Sequence, residues 1–304
     1  MKIRLKAHQT FSIRMGWLYK GLNNIIEDTE NTGKPSTIFI DKTGMVRLGI
    51  GSNMVKSLRY WMVATGLTSE NISGTNKGQI STEFGNLVYE NDKHFEKIGT
   101  LILCHYNLIN SIENATSWYY FFNEYSPKEF TKEDICLEEE NWLKGFTQNP
   151  PVNSVESDID CLVKLYCSTI ESINNYEDNK VSPFVNLELI KKSINKNQFF
   201  KSSPNIDNIP SEVAMFIILK QLEASNFENK SILNFEWLII KPNSLSKVLN
   251  LQVEELIRLI TKLEKEGFLR FIKTAGLEQI IINEKIKSSE EMLIKYYKRV
   301  KNER

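Results

Sequence analysis

The stretch from Ser244 to Asn283 constrains the fold more than any other part of the chain. In order it gives a short helix over 244–249, a turn at Asn250-Leu251, a longer helix over 252–266 and a stop at Gly267. Two strand-like runs follow, 268–272 and 277–283, joined around Thr274-Ala275-Gly276. Helix, turn, helix, hairpin is the order of a winged helix, a common DNA-binding design. A helix over 210–224 precedes it, with Pro210 at the start, where the missing N–H costs nothing.

A similar pattern occurs earlier, over Arg47–Thr68. Gly49 and Gly51 give backbone freedom at a turn, and Ser52 or Asn53 is expected to cap the helix that follows. Met54, Leu58, Trp61, Met62 and Thr65 fall at three- and four-residue steps and make one apolar stripe. Gly66 stops the helix. Arg47, Lys56 and Arg59 lie off the stripe and are the candidate contacts to DNA phosphates. An ordinary core helix with solvated cations would show the same pattern. Residues 71–81 read as a wing or loop, and 79–88 as the second part of the same unit.

At 304 residues the chain has room for about two domains. The division is placed at Asn149–Ser154, where prolines and small polar residues cluster, giving 1–148 and 149–304. The expected fold class is α+β, mainly α with small β-hairpins, built on tandem winged-helix-like units. No apolar run approaches the ~18 residues of a membrane span. Cys104, Cys136, Cys161 and Cys167 have no C-x-x-C spacing, so they read as reduced cysteines of a cytoplasmic protein.

Net charge is zero, but it is unevenly spread. Residues 1–60 hold ten Lys/Arg against four Asp/Glu, and residues 128–160 hold three against nine. Two faces with different partners would produce this, as would plain solvated surface, the preferred reading for the acidic run. Elsewhere, 1–6 reads as an edge strand, 15–27 as a helix, 91–96 as a short helix capped by Asp92, and 99–109 as a run of strand character. Residues 112–125 read as a buried aromatic helix, 131–146 as an acidic helix capped by Thr131, and 155–174 as an amphipathic helix. Residues 176–183 read as a polar loop, 187–194 as a short helix and 288–301 as a basic helix.

The chemistry-bearing candidates are few. His8, beside an arginine-bearing segment, can orient phosphate or move a proton near neutral pH. Arg14 suits a bidentate phosphate clamp. Asp92 and Glu96, four apart, are the candidate carboxylates for Mg²⁺. His105 sits in an apolar run beside Cys104. Each has a plain structural alternative: a local hydrogen-bonder for His8, a cap for Asp92, a satisfied core group for His105. No P-loop, H-E-x-x-H, EF-hand or G-x-S-x-G pattern occurs.

The segments HQTFSIRMGWLYKG (8–21), VRLGIGSNMVKSLRYW (46–61), GTLILCHYNL (99–108) and SWYYFFN (117–123) resemble a bacterial family encoded in DNA phosphorothioation gene clusters. Its nearest named type is the Ssp-type nicking subunit. Gln9 departs from the family's G-H-E-T-F form, which removes a carboxylate at that position. The resemblance implies a DNA-binding, DNA-nicking protein acting beside a cysteine desulfurase and an ATP-using sulfur-transfer protein in anti-phage defence. By motif position it carries over to His8, Arg14, Lys56, Arg59 and His105, without assigning roles. The competing readings are a non-catalytic winged-helix scaffold on DNA and a transcriptional regulator.

Overall fold

The computed structural model describes residues 2–71, 77–167, 181–194, 197–225, 231–274 and 277–303. Two units share one order of elements: helix, strand or bridge, two helices around a turn, then a hairpin. In the first, α1 (Trp17–Thr32) is followed by a bridge from Ser36 to Gln79, then α2 (Gly44–Leu48) and α3 (Ser52–Ala64). The hairpin is β1 (Thr68–Asn71) against β2 (Gly78–Ser81). Residues 72–76, part of the expected wing, lie outside the described residues.

Three helices come next: α4 (Glu83–Asp92), α5 (Ile98–Ile109) and α6 (Thr116–Tyr119). The last runs on into a π-helical turn, Tyr120–Glu124. Then come β3 (Glu129–Phe130), α7 (Lys132–Leu143) and α8 (Val152–Tyr166). Thr131 and Asp134 form a capping box on α7, as the spacing implied. A 3₁₀ turn, Pro183–Leu187, leads to β4 (Ile190–Lys192) and β5 (Phe199–Lys201), in a sheet of order β3-β5-β4.

The second unit is α9 (Ser211–Glu223), β6 (Ile232–Asn234), α10 (Trp237–Ile240), α11 (Leu245–Leu249), α12 (Val253–Lys265), β7 (Leu269–Thr274) and β8 (Leu277–Ile282). Its sheet order is β6-β8-β7, all antiparallel. The long helices α3 and α12 are each followed by a left-handed glycine, Gly66 at φ 75° and Gly267 at φ 78°. Only glycine takes that conformation without steric cost, so each helix turns sharply into its hairpin.

The final helix, α13 (Ser289–Asn302), packs on α9 and α4 and binds the two units together. The Tyr296 ring lies where a side chain on Gly99 would stand, 2.5 Å from its ideal Cβ, so α5 and α13 approach closely because residue 99 has none. Tyr297 Oη and Thr100 Oγ1 are 3.2 Å apart, and Arg299 holds Glu212 of α9 through two N–H donors. The buried residues form one continuous apolar cluster. It includes residues of α7 and α8, which pack on each other across the expected linker at 149–154.

Several local expectations need correcting. Residues 99–109 are helical, not strand-like: a wholly apolar run carries no period to separate a buried strand from a buried helix. Residues 2–6 form no strand. Their N–H groups go to Glu113, Thr116 and Asp158 side chains instead of a ladder. Residues 187–194 hold the end of a 3₁₀ turn and β4 in place of a helix, with Glu188 at φ 54° between them. Neither Ser52 nor Asn53 caps α3, because the cap position is Gly51 and makes no side-chain bond. The expected helix over 155–174 ends at Tyr166, and 168–180, with most of the 176–183 loop, lie outside the described residues.

Candidate nucleic-acid interface

Helix α3 buries Leu58, Trp61, Met62 and Thr65, which leaves Ser52, Asn53 and Lys56 exposed on its outer face. The cations around it differ in their partners. Arg47 donates twice to Asp28, at 2.6 and 3.2 Å, and Ser36 Oγ donates to the same carboxylate at 2.5 Å. Arg59 donates twice to Glu70 of β1, at 2.8 and 2.7 Å. Gln79 Nε2 donates both to Glu70 Oε1 and to the Arg59 carbonyl. Burial pushes the Glu70 carboxyl up, but Arg59 and Gln79 outweigh it and hold the group below the usual carboxylate range. Arg59 and Arg47 therefore meet acids of their own unit, contrary to the expectation that Arg59 is free for phosphate.

Lys56 has no acid partner among the described residues. Lys20, one turn into α1, donates to the Leu48 carbonyl at 3.4 Å and so stands at the α2–α3 turn. Arg14, just before α1, lies over the rings of Trp17 and Phe11 at 5.4 and 5.9 Å, with no acid partner among the described residues. Aromatic faces hold a guanidinium in place while leaving its N–H edge open. These three cations lie at the start of α1, at the turn and on α3.

His8 is fully buried. Its Nε2–H donates to Asp158 Oδ1 at 2.7 Å, its Nδ1 accepts the Thr10 N–H at 3.0 Å, and its ring stacks on Trp61. Asp158 also accepts the Lys6 N–H at 2.8 Å, and Ser117 Oγ lies 3.2 Å from its Oδ2 and 2.6 Å from Glu139 Oε1. Burial pushes the Glu139 carboxyl up to about 8. A neutral Glu139 completes the chain: its O–H donates to Ser117, and the Ser117 O–H donates to Asp158.

His105 is also fully buried, and burial pushes its pKa down to about 3. Val248 O can only accept, so the neutral ring carries its proton on Nε2, donates across 2.8 Å, and accepts the Tyr166 O–H on Nδ1 at 2.7 Å. It thus ties α5 to α8 and to α11 of the second unit. Asp92 is a cap, in place of a metal ligand: its oxygens accept the Glu96 and Lys97 N–H groups at the start of α5, both at 3.0 Å. Residue 96 is exposed, and no group of three His, Cys, Asp or Glu that could hold a metal occurs among the described residues. His8, His105 and Asp92 have separate hydrogen-bond partners, so these bonds do not join them in one site. All four cysteines are free.

Sequence reasoning missed Lys20, Asp158 and Glu139. The signal for the two acids was present. Glu139 is four residues from both Ile135 and Leu143, and Asp158 lies three after Val155 and four before Leu162, so both fall on apolar stripes.

A family model described as protein of unknown function (DUF4007) matches residues 5–297. No curated protein matches the chain. Two solved structures are similar in fold. One is a magnesium ion-bound SspB crystal structure, with TM-score 0.82 and 21% identity over 97% of this chain and 88% of that one. The other is an SspB crystal structure, with TM-score 0.81 and the same identity and coverage. Among the described residues no helix is long and apolar enough to cross a membrane.

Proposed function

The chain belongs to the DUF4007 family, and we propose that it binds duplex DNA through its N-terminal unit, with α3 in the major groove. The observation that carries this reading is the outer face of α3. Ser52 and Asn53 are exposed and make no cap, and Lys56 follows one turn later without an acid partner among the described residues. Short polar side chains there suit base edges, and asparagine matches adenine in a bidentate way. Lys56, Lys20 and Arg14 suit the phosphates on either side. Arg47 and Arg59 serve instead to fix α2 to α1 and α3 to the hairpin.

Replacing Lys20, Lys56 and Arg14 together by alanine is expected to weaken duplex binding. It should also flatten the plot of log K against log salt by about 0.9 per lost phosphate contact. The double variant R47A/R59A serves as the comparison. If it flattens the salt slope as much as the triple variant does, the partners assigned to these arginines do not hold in the complex.

Within that reading the resemblance to the Ssp-type nicking subunit supports a role in DNA phosphorothioation, where a nick would expose the backbone for sulfur incorporation beside a cysteine desulfurase and an ATP-using sulfur-transfer protein. One of the similar SspB structures is magnesium ion-bound. Asp92 and Glu96 do not fit that ion here, because both Asp92 oxygens already hold backbone N–H groups. No step is assigned to them. Incubation with supercoiled plasmid and Mg²⁺ is expected to give open circles, and EDTA to prevent it. Asp92→Asn, which can keep one of the two cap bonds, should still nick. Loss of nicking in a folded D92N protein would restore Asp92 to the chemistry.

A further inference from the structure

Helix α7 turns Ile135, Glu139 and Leu143 inward. Leu137 points the other way and is 62% exposed. Glu133, Asp134, Glu140 and Asn141 stand three and four positions from it, which on a helix makes them its neighbours. Hydrogen bonds from Thr131 hold the Asp134 carboxyl below the usual range, so it stays charged. Lys144, the cation on this face, donates to Asn141 at 2.8 Å. Acids of α8 crowd the same seam. The Cys136 thiol is pushed up to about 12 by burial, then by Glu139, Glu156, Glu140 and Asp160. Asp160 receives Lys132 at 2.5 Å, and Glu156 is exposed.

We propose that the solvent face of α7 around Leu137 is a docking surface for a protein partner, in the form of an amphipathic segment with lysine or arginine flanking an apolar stripe. Charge decides the class of occupant. A ring of carboxylates repels phosphate, so nucleic acid is excluded, and it attracts a basic segment over a Debye length of about 8 Å at physiological salt. The exposed leucine at the centre supplies the apolar contact that a purely solvated acidic face would lack. This face shares no residue with α3, so the proposal stands apart from the DNA reading.

The test uses the full chain and a fluorescein-labelled leucine–lysine peptide of about 14 residues at helical spacing, followed by anisotropy. The leucine–glutamate counterpart is the control peptide. The wild type is expected to bind the lysine peptide at least about tenfold more tightly than E133Q/L137S/E140Q does. E83Q/E90Q, which removes two exposed charges on α4, is expected to bind like the wild type. Equal binding by the triple variant, equal loss in the α4 variant, or equal binding of the glutamate peptide would each overturn the proposal. The positions changed on α7 are exposed or half-buried, so the fold survives the substitutions.

Discussion

Asp158→Ala is expected to cost about 3–5 kcal/mol of folding stability, the usual penalty for stripping one partner from a buried charged pair. Asp158 Oδ1 receives two donors, His8 Nε2–H and the Lys6 N–H, and Ser117 reaches the other oxygen. Alanine would leave all three groups buried with nothing to replace Asp158. The residues involved come from the N-terminal segment, α6 and α8, so the loss should loosen how the first unit sits on the helices behind it. Urea unfolding, read by the fluorescence of Trp61 and Trp118 beside His8, measures it. Asp158→Asn, which keeps the shape and one acceptor oxygen, should cost clearly less. Equal costs for the two variants would show that the carboxylate charge is not what holds His8.

The second large effect is on pH dependence. Glu139 titrates at about 8 in the fold against a model value of 4.5. The folded state therefore binds this proton more tightly than the unfolded chain does. Its contribution is fully present below 4.5 and is lost as pH rises through 8. His105 has the opposite sign: it falls to about 3 from 6.5, so its contribution is present above 6.5 and is lost as pH falls toward 3. Stability should decline on both sides of a middle range. The alkaline slope should approach about 1.4 kcal/mol per pH unit for one proton. Glu139→Gln cannot ionise, and its amide can still donate to Ser117. Its unfolding midpoint should stay level where that of the wild type falls. Parallel profiles for the two proteins would remove Glu139 as the cause.

Much of the fold was legible because the signals were local. Gly66 and Gly267 stop their helices wherever those helices pack, since the left-handed conformation is a property of the residue. The Thr131–Asp134 box needs only three residues of spacing. The order of helix, turn, helix and hairpin at 244–283 follows from periodicity and breakers alone. The candidate site was much less legible. Lys56 was found from the sequence, but Arg47 and Arg59 look the same in the sequence whether or not acids await them.

The sequence by itself therefore determined the two winged-helix-like orders, the caps and stops, and which faces of the long helices are apolar. Those depend on interactions within a few residues. Tertiary structure alone decided which charges are in use. Asp28 meets Arg47 across 19 positions, Glu70 meets Arg59 across 11, and Asp158 meets His8 across 150. It also decided that 99–109 is a helix, since an apolar run buried on all sides takes its conformation from what surrounds it. The physical reason is range. Backbone preference acts between neighbours, whereas the protonation and partnership of a charged group depend on desolvation and on carboxylates that only folding brings within hydrogen-bond distance.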